Sequence, residues 1–126
     1  MTDRCYFRVM FHLALHVFVP ALVGRLIDST RWVSASLLMV GTMVVDLDHL
    51  VADPIYDPER CSIGFHPLHT ALPIGLYLTV AAVAGAVYWA ARERGQRDAG
   101  VWRALFFFVG AGLVIHMGLD ALDCIV

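Results

Sequence analysis

WVSASLLMVGTMVVDLDHL, residues 32–50, decides the fold. From Trp32 to Val45 it contains no ionisable group, and then Asp46, Asp48 and His49 arrive together. At about 1.5 Å of rise per residue, a helix of this length approaches the roughly 30 Å of a bilayer's hydrocarbon core. Acids and imidazoles at membrane depth are costly, which marks them as candidates for function.

Three more apolar stretches flank it, approximately residues 6–26, 70–91 and 101–122. Backbone groups in lipid must be satisfied within the chain, and the alternation of a barrel strand is missing, so all four are expected to be helices. Composition agrees: 60% hydrophobic and 16% charged residues, with mean hydropathy +0.72, describe a polytopic membrane protein. The expected architecture is all-α, a four-helix transmembrane bundle forming one membrane domain over residues 1–126, with a loop at 51–69. A net charge of -2 offers no basic surface, and no nucleic-acid partner is expected. Arg4 and Arg8 before the first apolar run imitate a secretory leader, but Pro20 to Asp28 holds no convincing cleavage site, so this helix is read as retained.

The nine cations, all arginine, set the expected orientation. Arg25, Arg31, Arg92, Arg94, Arg97 and Arg103 fall on one side of a four-span chain, and Arg4, Arg8 and Arg60 on the other. Arginine-rich short loops stay cytoplasmic, which puts both termini and residues 51–69 on the outer, periplasmic side of a bacterial inner membrane. Trp32, Trp89 and Trp102 then lie near the cytoplasmic ends as an interfacial belt. Phe106, Phe107 and Phe108 are read as lipid-facing bulk, and Gly41, Gly110, Gly112 and Gly118 as points of close helix approach.

That topology brings nine potential ligands to one layer: His12, His16, Asp46, Asp48, His49, His66, His69, His116 and Asp120. His12 and His16, like His116 and Asp120, are four apart and share a helix face, and Asp46 and His49 are three apart. Asp48 points away from Asp46 on a regular α-helix, so it is an outer group, a ligand of another ion, or a sign that the helix end unwinds. His66 precedes Pro67 and is expected to be extended, with Pro67 opening the third helix and His69 in its first turn. A helix N-terminus disfavours imidazolium and would keep His69 a neutral ligand.

Imidazoles and carboxylates without thiolates suit zinc, with manganese or iron as alternatives, and this many donors allow one to three ions. Eight residues are assigned as metal ligands: His12, His16, Asp46, His49, His66, His69, His116 and Asp120. Such a centre activates water, so hydrolysis of a phosphoester or lipid-linked substrate at the membrane surface is the expected chemistry. Asp48 and Asp123 are the candidate general bases, and Arg60 in the outer loop the candidate anchor for an anionic substrate. A haem is disfavoured, because Asp46, Asp48 and Asp120 crowd the layer where a porphyrin needs apolar walls. Two rivals remain: a hydrogen-bond network without metal, and a non-catalytic membrane subunit with a structural metal site. Assembly as a homo-oligomer or within a larger membrane complex is compatible with the composition.

Cys5, Cys61 and Cys124 all fall on the expected periplasmic side, where oxidation is permitted. Cys61 and Cys124 are expected to pair, tying the outer loop to the end of the last helix; two small buried thiols are the alternative.

The order His12, Asp46-Leu47-Asp48-His49, His66-Pro67-Leu68-His69-Thr70, His116-Met117-Gly118-Leu119-Asp120 resembles the YdjM-type family of inner-membrane proteins classed as metal-dependent hydrolases and also described as LexA-binding. A related group of small bacterial membrane proteins of unknown function looks similar almost end to end, through His12-Leu13-Ala14-Leu15-His16, Asp57-Pro58-Glu59-Arg60-Cys61-Ser62-Ile63 and Asp120-Ala121-Leu122-Asp123-Cys124. The resemblance implies a membrane-embedded metal site and hydrolase chemistry. The chain departs from the YdjM pattern at His66-Pro67-Leu68-His69, which lacks that family's arginine, and no residue carries LexA binding over.

Overall fold

A computed structural model describes residues 3–55, 57, 61–96 and 100–125, with only the backbone for 3–5. Helix α1 runs Asp3–Ile27, α2 Trp32–Gly41, α3 Ala71–Glu93 and α4 Val101–Asp123. Two 3-10 segments join them: Thr42–Val51 continues α2, and Pro67–His69 precedes α3. Four helical spans are long and apolar enough to cross a membrane, Tyr6–Ile27, Trp32–Val51, Ala71–Glu93 and Val101–Asp123.

The outer faces are those of a protein built for lipid. Phe7, Phe11, Phe18 and Leu22 form an exposed stripe along α1, and Leu72, Leu76, Val83 and Val87 another along α3. Apolar stripes of this length are not left open to water in a soluble monomer. In lipid, apolar transfer does not drive helices together, and close packing must do so.

Helix α4 supplies that packing by touching the other three. A Cβ on Gly112 would stand 2.7 Å from the Met39 Cα, and one on Gly110 2.9 Å from the Ala81 Cα, so both glycines let backbones meet. Gly24 plays the same part between α1 and α2, 2.7 Å from Ser36 Oγ. The expectation fails for Gly41 and Gly118, which have nothing within 4 Å because they face outward. It also fails for most of the phenylalanine run: only Phe106 is exposed, whereas Phe107 and Phe108 are buried against Tyr88, whose ring stacks on Phe107 at 4.5 Å. Successive helix positions turn by about 100°, so three adjacent residues cannot all face lipid.

At the end of the bundle opposite the histidines, Asp28 Oδ1 accepts from Thr30 N–H, Thr30 Oγ and Arg31 N–H, which closes the α1–α2 turn. Burial alone would raise the Asp28 carboxyl, but these donors hold it below its usual range. Arg92 reaches from α3 to the Ile27 carbonyl at 3.2 Å.

Candidate metal centre

The second span changes pitch where its apolar run ends. In a 3-10 segment the repeat is three residues per turn, so Val44, Leu47 and Leu50 form one exposed row, Thr42, Val45 and Asp48 an inner row, and Asp46 and His49 stand one above the other. Asp48 is thereby about 120° from Asp46 rather than the roughly 160° of an α-helix. All three side chains reach the site.

The third span also departs from expectation. His66 is extended and Pro67 opens a single 3-10 turn, but Thr70 is extended as well, and α3 begins only at Ala71. His69 therefore precedes the helix instead of occupying its first turn. Its backbone is held by N–H to the His66 carbonyl (2.9 Å), and its own carbonyl accepts from Gly64 N–H (2.9 Å).

Among the described residues, Asp46, His69, His116 and Asp120 form the first of three ligand groups. His69 Nε2 is 3.4 Å from Asp46 Oδ1 and 3.0 Å from Asp120 Oδ2; His116 Nε2 is 3.1 and 3.4 Å from the same two atoms. A tetrahedral ion with bonds of roughly 2.0–2.1 Å needs ligand atoms about 3.3–3.4 Å apart. Two of the four distances, at 3.4 Å, equal that edge, and two, at 3.0 and 3.1 Å, fall short of it.

His12, His16 and Asp120 form the second group. His12 Nε2 and His16 Nε2 stand 3.2 and 3.3 Å from Asp120 Oδ1, the oxygen that the first group does not use. The third group is Asp48, His49 and His66, with the His49 and His66 rings stacked at 3.7 Å.

Hydrogen bonds fix which ring nitrogens are available. A carbonyl or carboxylate oxygen only accepts, so His16 Nδ1 donates to the His12 carbonyl (3.0 Å) and His69 Nδ1 to Asp48 Oδ2 (3.2 Å). In a neutral ring each Nε2 is then a lone pair, yet both aim at carboxylate oxygens. Something positive must lie between, either a proton on each ring or a metal cation. A proton seeks a near-linear bond. Among the described residues, the buried side-chain atoms with no hydrogen-bond partner are His16 Nε2, His69 Nε2, His116 Nδ1 and Asp120 Oδ2. Short contacts without hydrogen-bond geometry, on imidazole and carboxylate donors, are what a shared cation would organise.

His69 is the pivot. Burial alone would lower its pKa, but the Asp120, Asp46 and Asp48 carboxylates overcome that and push it up to about 10. This reverses the expectation of a neutral ring held by a helix N-terminus, because three carboxylates at 3.0–3.4 Å outweigh a dipole whose helix starts two residues later.

Each sequence candidate except Arg60 has a definite place. All eight assigned ligands, together with Asp48, fall in the three groups. Asp48 sits behind His69 with both oxygens engaged: Oδ1 takes His49 Nδ1 at 3.1 Å, and Oδ2 takes Leu68 N–H at 2.8 Å as well as His69. Asp123 is half-exposed at the rim, 3.9 Å from His12 Nδ1. Arg60 lies outside the described residues. A disulfide joins Cys61 to Cys124, with Cα atoms 5.0 Å apart, and so ties the loop before His66 to the end of α4. Two participants carried no sequence signal that singled them out: Ser62, whose Oγ is 3.1 Å from His49 Nε2, and the Leu68 amide.

The profile of a family of unknown function, DUF6122, matches residues 6–90. The chain belongs to this family. The DUF6122 match takes in His12, His16, Asp46, Asp48, His49, His66 and His69, while His116 and Asp120 lie beyond it on α4. No curated protein and no solved structure matches the chain.

Proposed function

We propose that this member of the DUF6122 family is an integral metal-dependent hydrolase of the bacterial inner membrane, acting at the periplasmic surface on a phosphoester or lipid-linked substrate. One observation carries the reading: the ligand layer is sealed on one side and open on the other. His69, His116 and Asp120 are buried, whereas Asp46 and Asp123 expose 36% and 51% of their side chains. Structural metal sites are closed by protein ligands, and catalytic ones keep an open position. The imidazole and carboxylate donor set suits zinc, and the YdjM-type resemblance points to the same class of chemistry.

Bound at Asp46, His69, His116 and Asp120, a divalent ion would supply Lewis acidity and lower the pKa of water. The chain's own groups divide the remaining work. His69 is oriented by Asp48, and His16 by the His12 carbonyl. Asp123 is half-exposed and less engaged than Asp48, which supports its assignment as the group that takes the proton of the attacking water. As the water oxygen bonds to phosphorus, the bond from phosphorus to the alcohol oxygen breaks, and the alkoxide recovers the proton from Asp123. A substrate presented by the membrane reaches the open side without leaving the interface.

The test is turnover of bis(p-nitrophenyl) phosphate and of phospholipid vesicles by zinc-loaded protein in nanodiscs, beside Asp123→Asn. The expected result is hydrolysis that falls by about 10²-fold or more in the variant with metal content unchanged. Retained metal without turnover of either substrate would instead identify a non-catalytic membrane subunit with a structural metal.

A further inference from the structure

We infer that the site holds two divalent cations bridged by Asp120, and that the third ligand group holds none; this deepens the proposed hydrolase reading and rests on it. Asp120 is 5% exposed and, among the described residues, is the one common to two groups. Its oxygens are divided between them. Oδ2 faces His69 Nε2 (3.0 Å) and His116 Nε2 (3.4 Å), while Oδ1 faces His12 Nε2 (3.2 Å) and His16 Nε2 (3.3 Å). A carboxylate that presents each oxygen to a separate pair of imidazoles is a bridging ligand, and two-metal hydrolytic centres place their ions about 3.5–4 Å apart.

Partnerless buried atoms separate the groups that need a cation from the one that does not. His69 Nε2 and Asp120 Oδ2 belong to the first group, and His16 Nε2 to the second. In the third group two of the three ligands are already engaged within the protein: Asp48 accepts three hydrogen bonds, and His49 bonds Asp48 through Nδ1 and Ser62 through Nε2. It orients His69 and braces the loop. Two ions, not three, follow.

The pair of ions then narrows the substrate. The two bridged groups contain two carboxylates, Asp46 and Asp120, and four imidazoles, and the Asp48 and Asp123 carboxylates stand 3.2 Å from His69 and 3.9 Å from His12. Two divalent ions set against four carboxylates leave the centre about neutral, so selection comes from geometry rather than net charge. Open at Asp46 and His12, adjacent ions favour a tetrahedral group whose oxygens can touch both, as those of a phosphate ester can.

The experiment is Mn(II) loading of purified protein in nanodiscs, with elemental analysis and electron paramagnetic resonance on the same samples. Wild type is expected to bind two ions per chain with an exchange-coupled signal. His12→Ala, at a partly exposed ligand, and His12→Ala/His16→Gln should each bind one ion and show an uncoupled six-line spectrum at unchanged helicity. His49→Ala/His66→Ala should still bind two. One ion per wild-type chain together with phosphodiester turnover would overturn the bridged pair and leave the hydrolase reading standing. Three ions, falling to two in His49→Ala/His66→Ala, would overturn the exclusion of the third group. No ion bound to well-folded wild type would overturn both this inference and the reading beneath it.

Discussion

Asp48 Oδ2 lies 3.2 Å from His69 Nδ1, on the edge of the ring opposite the Nε2 that faces Asp46 and Asp120. Leu68 N–H and His49 Nδ1 hold that carboxylate in turn. A carboxylate behind a ligating imidazole fixes its tautomer and raises its basicity, and removing such a partner costs about 10–100-fold in metal affinity. Asp48→Ala should weaken zinc by that factor in a chelator competition, while stoichiometry at saturating zinc is unchanged. Unaltered affinity would remove the orienting role.

Affinity should also depend on pH. The His69 pKa is raised to about 10, so the imidazolium persists through neutral pH, and an ion that takes Nε2 must displace a proton. Apparent affinity is therefore expected to rise by about tenfold per pH unit between pH 6 and 8 for each proton displaced, with proton release visible as a buffer-dependent enthalpy in calorimetry. A flat profile would contradict the placement of the cation at His69.

The glycines of α4 give a packing prediction with its own control. A Cβ on Gly112 meets the Met39 backbone at 2.7 and 2.8 Å, and backbone cannot move aside as a flexible side chain can. Gly112→Ala should destabilise the bundle by about 1–3 kcal/mol in a detergent unfolding titration. Gly118→Ala, with nothing within 4 Å, should leave it unchanged.

The four spans were legible because membrane thickness imposes a length that apolar runs must meet, and the convergence of His12, Asp46, His69, His116 and Asp120 followed from chain reversal alone. Gly110, Gly112, His116 and Asp120 marked the inner side of α4, but the phenylalanines did not. Phe107 and Phe108 are as hydrophobic as the lipid-facing Phe106, so hydropathy cannot tell core from lipid. The orientation of Asp48 depended on pitch. The three-residue row Val44, Leu47, Leu50 carried that signal, but it is short enough to pass for part of an α-helix. The extended Thr70 that separates His69 from α3 has no marker in residue type.

The Cys61–Cys124 disulfide closes a loop across a sequence separation of 63 and anchors the segment that leads to His66 and His69. Cys61→Ser should lower stability by about 2–4 kcal/mol and raise the rate of metal loss to a chelator. Reductant should reproduce both effects in wild type and add nothing in the variant; identical metal release with and without reductant would show that the bridge does not brace the site.

The central claim, that Asp46, His69, His116 and Asp120 hold a metal cation, is tested most directly by elemental mass spectrometry of detergent-purified protein beside an Asp46→Ala/His116→Ala variant of equal helicity. Zinc, manganese or iron at one or more ions per wild-type chain, with at least one ion fewer in the variant, is the predicted result. Wild type that binds no metal after incubation with each of the three would contradict it and leave a network of imidazolium–carboxylate pairs in a membrane bundle.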